Sequence, residues 1–451
     1  MKNISIWNDI ERKKYPILNE NKNVDILIIG GGITGINALY NLKNTNLNVI
    51  LVEQNEIASS VTSRSTGKLS YLQNDLIDKI RKKCGDKIAS KYLQSQKEAI
   101  EKIVNVIKKE KINCDLEKVD SYLYTNNDFE INKLQNLRNF LEKNCIKTYN
   151  AKNNLVESKY MLKVNNTYMF NPVKYTLNLA SKCNNIYENT SIKKIEEHGD
   201  YYMCYTDNYI IKAKWVILAS HYPYFTLPYL FPFKNSLEKS YLSASNYNGN
   251  KISLISYSNP FISIRTYKDK LIYLSNSHSI EVNTCDRKNF NELNKKLNDL
   301  KLKPNYLWSN IDIITNDGLP YIGRLKNNIL ISTGYNTWGL STSFLSSEIL
   351  KDIITNKKNS YVKLFDPNRQ TICNFKDTFQ NTIKNITGFI KGLTNINEKE
   401  DKSVSKICPH LGCKLIYNEV EDTWDCPCHG SRFNKEGNVI SGPANKKIKK
   451  Y

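Results

Sequence analysis

Residues 24–29 (VDILII) read as a strand buried on both faces of a parallel sheet, because the run is apolar almost throughout. Gly30, Gly32 and Gly35 follow at once, in IIGGGITG. Ile33 and Thr34 then open a segment with Ile36, Leu39 and Leu42 at helical spacing. A second strand over residues 48–53 completes a β–glycine turn–α–β unit. Each glycine has its own physical reason: a tight turn, close approach of backbone to a pyrophosphate, and close packing of helix on strand. The helix start turns free N–H groups and a positive dipole end toward the phosphates. Glu53 stands 23 positions after Gly30, at a strand end, where an acid binds ribose hydroxyls. A glycine-rich turn alone says little. Between a buried strand and an apolar-faced helix, with that acid, it marks a dinucleotide site.

The rest of the chain divides by pattern. A long helix is expected over residues 86–109, using Ile88, Tyr92, Ile100, Ile103, Val104 and Ile107 as one face. Strand-like stretches return at 201–206, 209–214 and 215–219, and residues 222–235, rich in proline and aromatics, read as a loop. Segments near 252–256, 261–267 and 271–275 suggest an antiparallel sheet, and 329–333 a further strand. A helix is expected over 343–355, a crossing segment with a helix over 361–395, and a polar linker over 396–405.

Composition narrows the function class. At 451 residues the prior is about three domains. The formal charge is +21, but it is mostly lysine scattered through an Asn-, Ile- and Tyr-rich chain, which reads as a solvated basic surface and not a nucleic-acid site. No apolar run reaches the roughly 18 residues of a membrane span, and the start has no signal-peptide pattern. A soluble, cytoplasmic protein is the expectation, with membrane contact at most peripheral. Eleven cysteines are too sparse for a disulfide-built fold. Their placement is uneven, however: Cys408, Cys413, Cys426 and Cys428 crowd near the end of the chain with two of its five histidines.

The choice between FAD and NAD rests on a resemblance. VDILIIGGGITGINALYNL and VILVEQNEIASSVTSRSTGKLS are similar to the first two flavin segments of FAD-dependent oxidoreductases of the D-amino-acid oxidase and glycine oxidase type. In that family the stretch after the ribose-binding acid runs along the flavin; here it holds Gln54, Ser60, Arg64, Ser65, Thr66, Gly67 and Lys68. Residues 212–223 (KAKWVILASHYP), with Ala219 and Ser220, resemble the strand that re-enters the FAD domain, after an adenine-side contact near Ser191 and Ile192. DGLPYIG, with Asp317 and Gly318, and GYNTWGL, with Gly334, Trp338, Gly339 and Leu340, look like the C-terminal flavin signature. The resemblance further implies a carboxylate-binding arginine, for which Arg265 in FISIRTY is the candidate, and a flavin-side role for Lys68. Bidentate recognition of a carboxylate suits a guanidinium. His221 and Tyr267 are candidates for the flavin face, although structural roles suit both better.

Residues 408–432 read CPHLGCKLIYNEVEDTWDCPCHGSR, pairing Cys408-x-His410 with Cys426-x-x-His429. Two thiols and two imidazoles also suit zinc, so the ligand set alone is ambiguous. The surroundings resemble the Rieske iron–sulfur motif, in which two thiolates hold one iron of a [2Fe–2S] cluster and two imidazoles the other. That likeness implies a disulfide between Cys413 and Cys428 clamping the cluster loops, and a proline loop at Gly442-Pro443-Ala444 over the cluster. It also implies that His410 and His429 face the exit side. Residues 396–407 are too few for the β-structure that usually precedes the first ligand loop, so the domain reads as trimmed.

The fold expected is α/β: a Rossmann-like FAD-binding domain with an interleaved α+β substrate domain, plus a small all-β Rieske domain. The boundaries are an N-terminal extension over 1–23 and an oxidoreductase over 24–360. Within the latter, FAD-binding parts fall near 24–74, 181–224 and 316–360, and substrate parts near 75–180 and 225–315. A connecting segment over 361–400 leads to the Rieske domain over 401–451. The expected cofactors are FAD and a [2Fe–2S] cluster. The expected partners are a small-molecule substrate, of amine or amino-acid type, and an external electron acceptor or donor, protein or quinone. The alternative is an electron-transfer module or redox sensor without an organic substrate.

Overall fold

The computed structural model describes residues 1–222, 234–280, 285–369 and 405–449. Most of the loop expected at 222–235, the segment at 361–395 and the linker at 396–405 fall outside the described residues.

The apolar run after residue 22 becomes the strand Lys22–Ile29, at the centre of an eight-stranded sheet. It pairs in parallel with Val49–Val52 on one side and Ile210–Leu218 on the other, Ile26 lying between Val49 and Trp215. The two strands expected at 209–219 are therefore one. Ile329–Thr333 continues the parallel run, Tyr321–Lys326 closes that edge antiparallel, and Ile186–Tyr187 closes the other. The helices Ile33–Leu42 and Gly339–Ile354 pack against each other. Small side chains let them approach, and Asn37 and Asn41 donate to Ser343 Oγ and Ser347 Oγ at 3.1 and 2.6 Å. The second helix starts at Gly339 rather than Ser343, so the glycine forms its first turn.

A nine-stranded sheet is built from the parts expected on the substrate side, in the order Pro304–Thr315, Asn235–Asn246, Lys270–Ser279, Ser263–Tyr267, Ser253–Ser256, Glu117–Thr125, Tyr160–Met169, Lys68–Leu69, with Thr148–Asn150 beside Tyr160–Met169. Its strands come from two separated stretches of chain, which is the expected interleaving. The helix expected at 86–109 is Asp86–Lys109.

The C-terminal sheet is an antiparallel meander of Ile416–Asn418, Thr423–Asp425, Arg432–Asn434 and Val439–Ser441 around Leu415, Trp424 and Phe433. It docks on the two larger sheets' part of the chain through buried charges. Lys239 Nζ lies 2.6 Å from Asp425 and 2.7 Å from Asp286. Glu421 receives Arg64 at 2.7 Å and Arg432 at 2.9 Å, and Arg432 also pairs with Asp425 at 2.9 Å. Three cations and three anions balance, as burial of charge requires. Burial opposes ionisation of Glu421, yet Arg432 and Arg64 hold its carboxyl down to about 2.

The N-terminal extension is built in. Trp7 is fully buried, and its indole N–H donates to Ser65 O at 2.7 Å.

Candidate functional site

One large cavity, about 1780 Å³ of empty space with its mouth included, lies between the two large sheets. Gly30, Gly32, Ile33 and Thr34 form its floor at the helix start. Gly30 has φ 113°, and a Cβ there would meet Ala219 O at 2.7 Å. Gly35 lies just outside the wall, where a Cβ would run into Gly30 O, so its part is helix–strand packing. Gly32 caps the helix without a side-chain bond, leaving N–H groups for an anion. Glu53 and Gln54 line one end with Ile192. The Glu53 carboxylate accepts from the amides of Gly31 at 2.6 Å and Asn55 at 2.9 Å, and burial raises its pKa. Ser60, Arg64, Ser65, Thr66 and Lys68 follow along the wall, with Ala219 and Ser220 opposite. Trp338, Gly339 and Leu340 bring a second helix start to the cavity, and Trp338 Nε1 is buried there without a hydrogen-bond partner among the described residues. Two helix N-termini, a ribose-side acid and an orphaned donor in one long cleft fit FAD.

Several expectations are corrected. Asp317, Gly318 and Gly334 stand behind the wall: the Asp317 carboxylate is taken by Arg369, at 2.8 and 2.9 Å, and the glycines back onto Ile80 and Thr315. Gly67 likewise faces Arg265 and Phe170. Arg265 does not reach the cavity. Its Nη1 donates to the carbonyls of Gly67 and Phe170 at 2.6 and 3.0 Å, between the rings of Trp7 and Tyr267, and it is 1 % exposed. The Trp7 wedge covers it, so it holds the 65–67 loop instead of a carboxylate. Tyr267 is turned away too, donating to Asp115 at 2.8 Å. Lys68 does line the cavity, with its amine spent on Leu254 O at 2.7 Å and Ser263 Oγ at 2.8 Å and its pKa well lowered by burial. His221 lines it as well, in the left-handed region at φ 64° and bonded to Ile311 O at 3.1 Å. Burial pulls its pKa to about 4.

The cluster loops are built alike. Cys408 N donates to Cys413 O and Gly412 N to Cys408 O, at 2.8 and 3.0 Å; Cys426 N donates to Ser431 O and Gly430 N to Cys426 O, at 2.7 and 3.1 Å. A glycine four places after each first cysteine takes positive φ, 80° and 73°, and closes the turn. Cys413 and Cys428 are bonded as a disulfide, and their sulfurs and that of Cys426 lie within 4.8 Å of one another. The Cys426 thiol donates to Cys408, whose pKa it draws to about 7 against burial. The imidazoles of His410 and His429 are 5.0 Å apart between centroids, and His410 Nδ1 is buried with no hydrogen-bond partner among the described residues. Two paired thiols facing two imidazoles, one with an orphaned nitrogen, fit a Rieske cluster. Gly442 closes the proline loop onto Ser431, whose Cα a Cβ would meet at 2.5 Å.

His429 does not face outward. It is 1 % exposed, its ring meets Tyr222 edge-on at 5.4 Å, and it lines a small pocket with His221 and Arg64, both also in the wall of the large cavity. Gly442, Pro443, Ala444 and Asn445 line the large cavity itself. Sequence reasoning missed this shared wall, and it missed Asn310 and Asp312, which alternate inward on the strand Pro304–Thr315.

A dinucleotide cleft and a cluster site that share one wall define a flavin- and iron–sulfur-dependent oxidoreductase. The chain belongs to the FAD dependent oxidoreductase family (DAO), matched over residues 25–353, and residues 370–451 match the Rieske [2Fe-2S] domain. FAD and a [2Fe–2S] cluster are its cofactors. It is 28% identical, over 96% of its length and 94% of the other's, to YhfW of Bacillus subtilis strain 168, whose name places it provisionally among Rieske 2Fe-2S iron-sulfur proteins. Its fold is that of glycine oxidase from Geobacillus kaustophilus (TM-score 0.65, 15% identity, 78% of this chain and 100% of that one). It is also that of L-amino acid deaminase from Proteus vulgaris (0.65, 16%, 80% and 100%). No helix among the described residues is long and apolar enough to cross a membrane.

Proposed function

We propose that the chain oxidises a small amine or amino-acid-like substrate at FAD and passes the electrons through its own Rieske cluster to an external acceptor. The wall common to the two sites carries this reading: the proline loop lines the flavin cavity, and His221 and Arg64 stand between that cavity and His429. The similarity of fold to a glycine oxidase and an L-amino acid deaminase supports the substrate class.

FAD, when bound, supplies a two-electron acceptor, and the cluster a one-electron acceptor. The chain's own residues hold the parts. Gly30, Gly32 and the helix after them would hold the pyrophosphate and Glu53 the ribose, and the unpartnered indole N–H of Trp338 would be available to the cofactor. Lys68 is a basic group in the wall of the cavity. Its amine, depressed by burial, is suited to taking a proton from the substrate ammonium. His221 and Tyr222 pack the space toward His429 and exclude water from it. The buried charges around Lys239 and Arg432 keep the cluster domain seated.

Anaerobic titration with a panel of amines and amino acids tests the reading, following flavin absorbance and cluster paramagnetic resonance together. The cluster should gain its electron as the flavin is reduced. A flavin that stays reduced beside an oxidised cluster refutes the relay.

A further inference from the structure

Three basic side chains lie in or against the cavity, and each is already engaged. Arg265 is turned onto backbone carbonyls, and Lys68 onto Leu254 and Ser263. Arg64 points Nη1 to Ser309 O at 2.8 Å and to Glu421 at 2.7 Å. The acceptors on the substrate sheet are in the opposite condition. Asn310 is 4 % exposed and lines the cavity, and its Oδ1 has no hydrogen-bond partner among the described residues. Its Nδ2 donates to Asp312 Oδ2 at 2.8 Å, which fixes the amide with its oxygen left over. Asp312 lines the same cavity, two residues along and on the same face.

Three other buried carboxylates at the domain interface have their cations: Glu421 and Asp425 have Arg432, and Asp286 has Lys239. Asp312 faces Glu238 across the strands, so a like charge is its neighbour. Burial first and Glu238 second push its carboxyl up to about 7. Among the described residues, this is a buried acceptor without a donor beside a carboxyl without a cation, and an ammonium would satisfy both.

We infer that Asn310 and Asp312 form a cation subsite, and that the substrate carries a second cationic group, as a diamine does, where an amino acid carries its carboxylate. This deepens the amine oxidation proposed above and rests on it. The ammonium would place its N–H groups on Asn310 Oδ1 and the Asp312 carboxylate, with Ser240, the register partner of Asn310, also in the wall.

The test is equilibrium binding to the full chain carrying both cofactors, read from the perturbation of the flavin spectrum. The probes are putrescine, n-butylamine and γ-aminobutyrate, which share a four-carbon stem. Putrescine should bind about tenfold or more tightly than either of the others, the scale of a charge-assisted hydrogen bond. In Asp312→Asn the three should draw level, with flavin and cluster spectra unchanged. The wild-type ranking decides even if that variant fails to fold. Tightest binding by γ-aminobutyrate overturns the subsite; so does a ranking that Asp312→Asn leaves as it was. Preserved putrescine binding with no flavin bleaching by any amine overturns the oxidation reading and leaves the subsite standing.

Discussion

Lys239 is the residue whose loss should separate the two redox domains. Its ammonium is 2 % exposed and bridges Asp286 of the oxidoreductase to Asp425 of the Rieske domain. Replacement by methionine keeps the stem and deletes the charge. Asp425 would retain Arg432 at 2.9 Å and Thr423 at 3.0 Å, so its cost is small. Among the described residues Asp286 would keep the Tyr241 hydroxyl at 2.6 Å and become a buried carboxylate without a cation. Breaking a buried pair from one side costs about 3–5 kcal/mol, and the Tyr241 hydrogen bond left to Asp286 puts this case at the lower end, about 3 kcal/mol. Urea unfolding followed by cluster absorbance should show that loss, with flavin absorbance less affected. Stopped-flow mixing with substrate should show flavin reduction at the wild-type rate and slower cluster reduction. Lys239→Met/Asp286→Asn should recover about half of the stability. The reasoning is refuted if Lys239→Met loses under about 1 kcal/mol and transfers electrons at the wild-type rate. Arg287 and Glu419, paired in solvent at 68 % and 51 % side-chain exposure, provide the control, where removal should cost no more than about 1 kcal/mol.

The same interface should be acid-labile. The folded-state pKa of Glu421, about 2, lies below its ordinary value of about 4.3, so its contribution is whole above that value and is lost as pH falls toward 2; urea midpoints of the cluster domain measured from neutral to acid pH check the direction. Arg265→Gln should lower the melting temperature, by about 2 kcal/mol of lost carbonyl bonding, and raise flavin dissociation while leaving the ranking of amine ligands unchanged. Serine at both Cys413 and Cys428 opens a link across 15 residues and should cost the cluster domain about 3 kcal/mol, seen as faster bleaching of the cluster, while intact mass with and without reductant reports the bond itself.

The nucleotide unit was legible because its signal is local: an apolar strand, three glycines and a helix are consecutive, and Glu53 follows at a set distance. The cluster ligands were legible for the same reason, in two short loops. Arg265 was misassigned although its strand was right. Alternation puts it on the face of Ser263, which does line the cavity, but Trp7, 258 positions earlier, covers the space it would have entered. A wedge of that kind leaves no periodic trace. The outward view of His429 failed similarly, because the likeness described a Rieske loop by itself and the docking face depends on Leu237, Ile311 and Lys239, elsewhere in the sequence. Asn310 and Asp312 could have been found: YLWSNIDIIT alternates, and two inward polar residues on a cavity strand are the signal.

The proline loop has a consequence for how the holoprotein is made. Residues 442–445 close part of the wall of the flavin cleft, yet they leave the ribosome after every glycine and helix start that lines it. Flavin entry is therefore open early and narrowed late, and loading order is written into chain order. A chain whose C-terminal cover is loosened, such as Lys239→Met, should release FAD faster on dilution; release at the wild-type rate would show that the cover plays no part in retention.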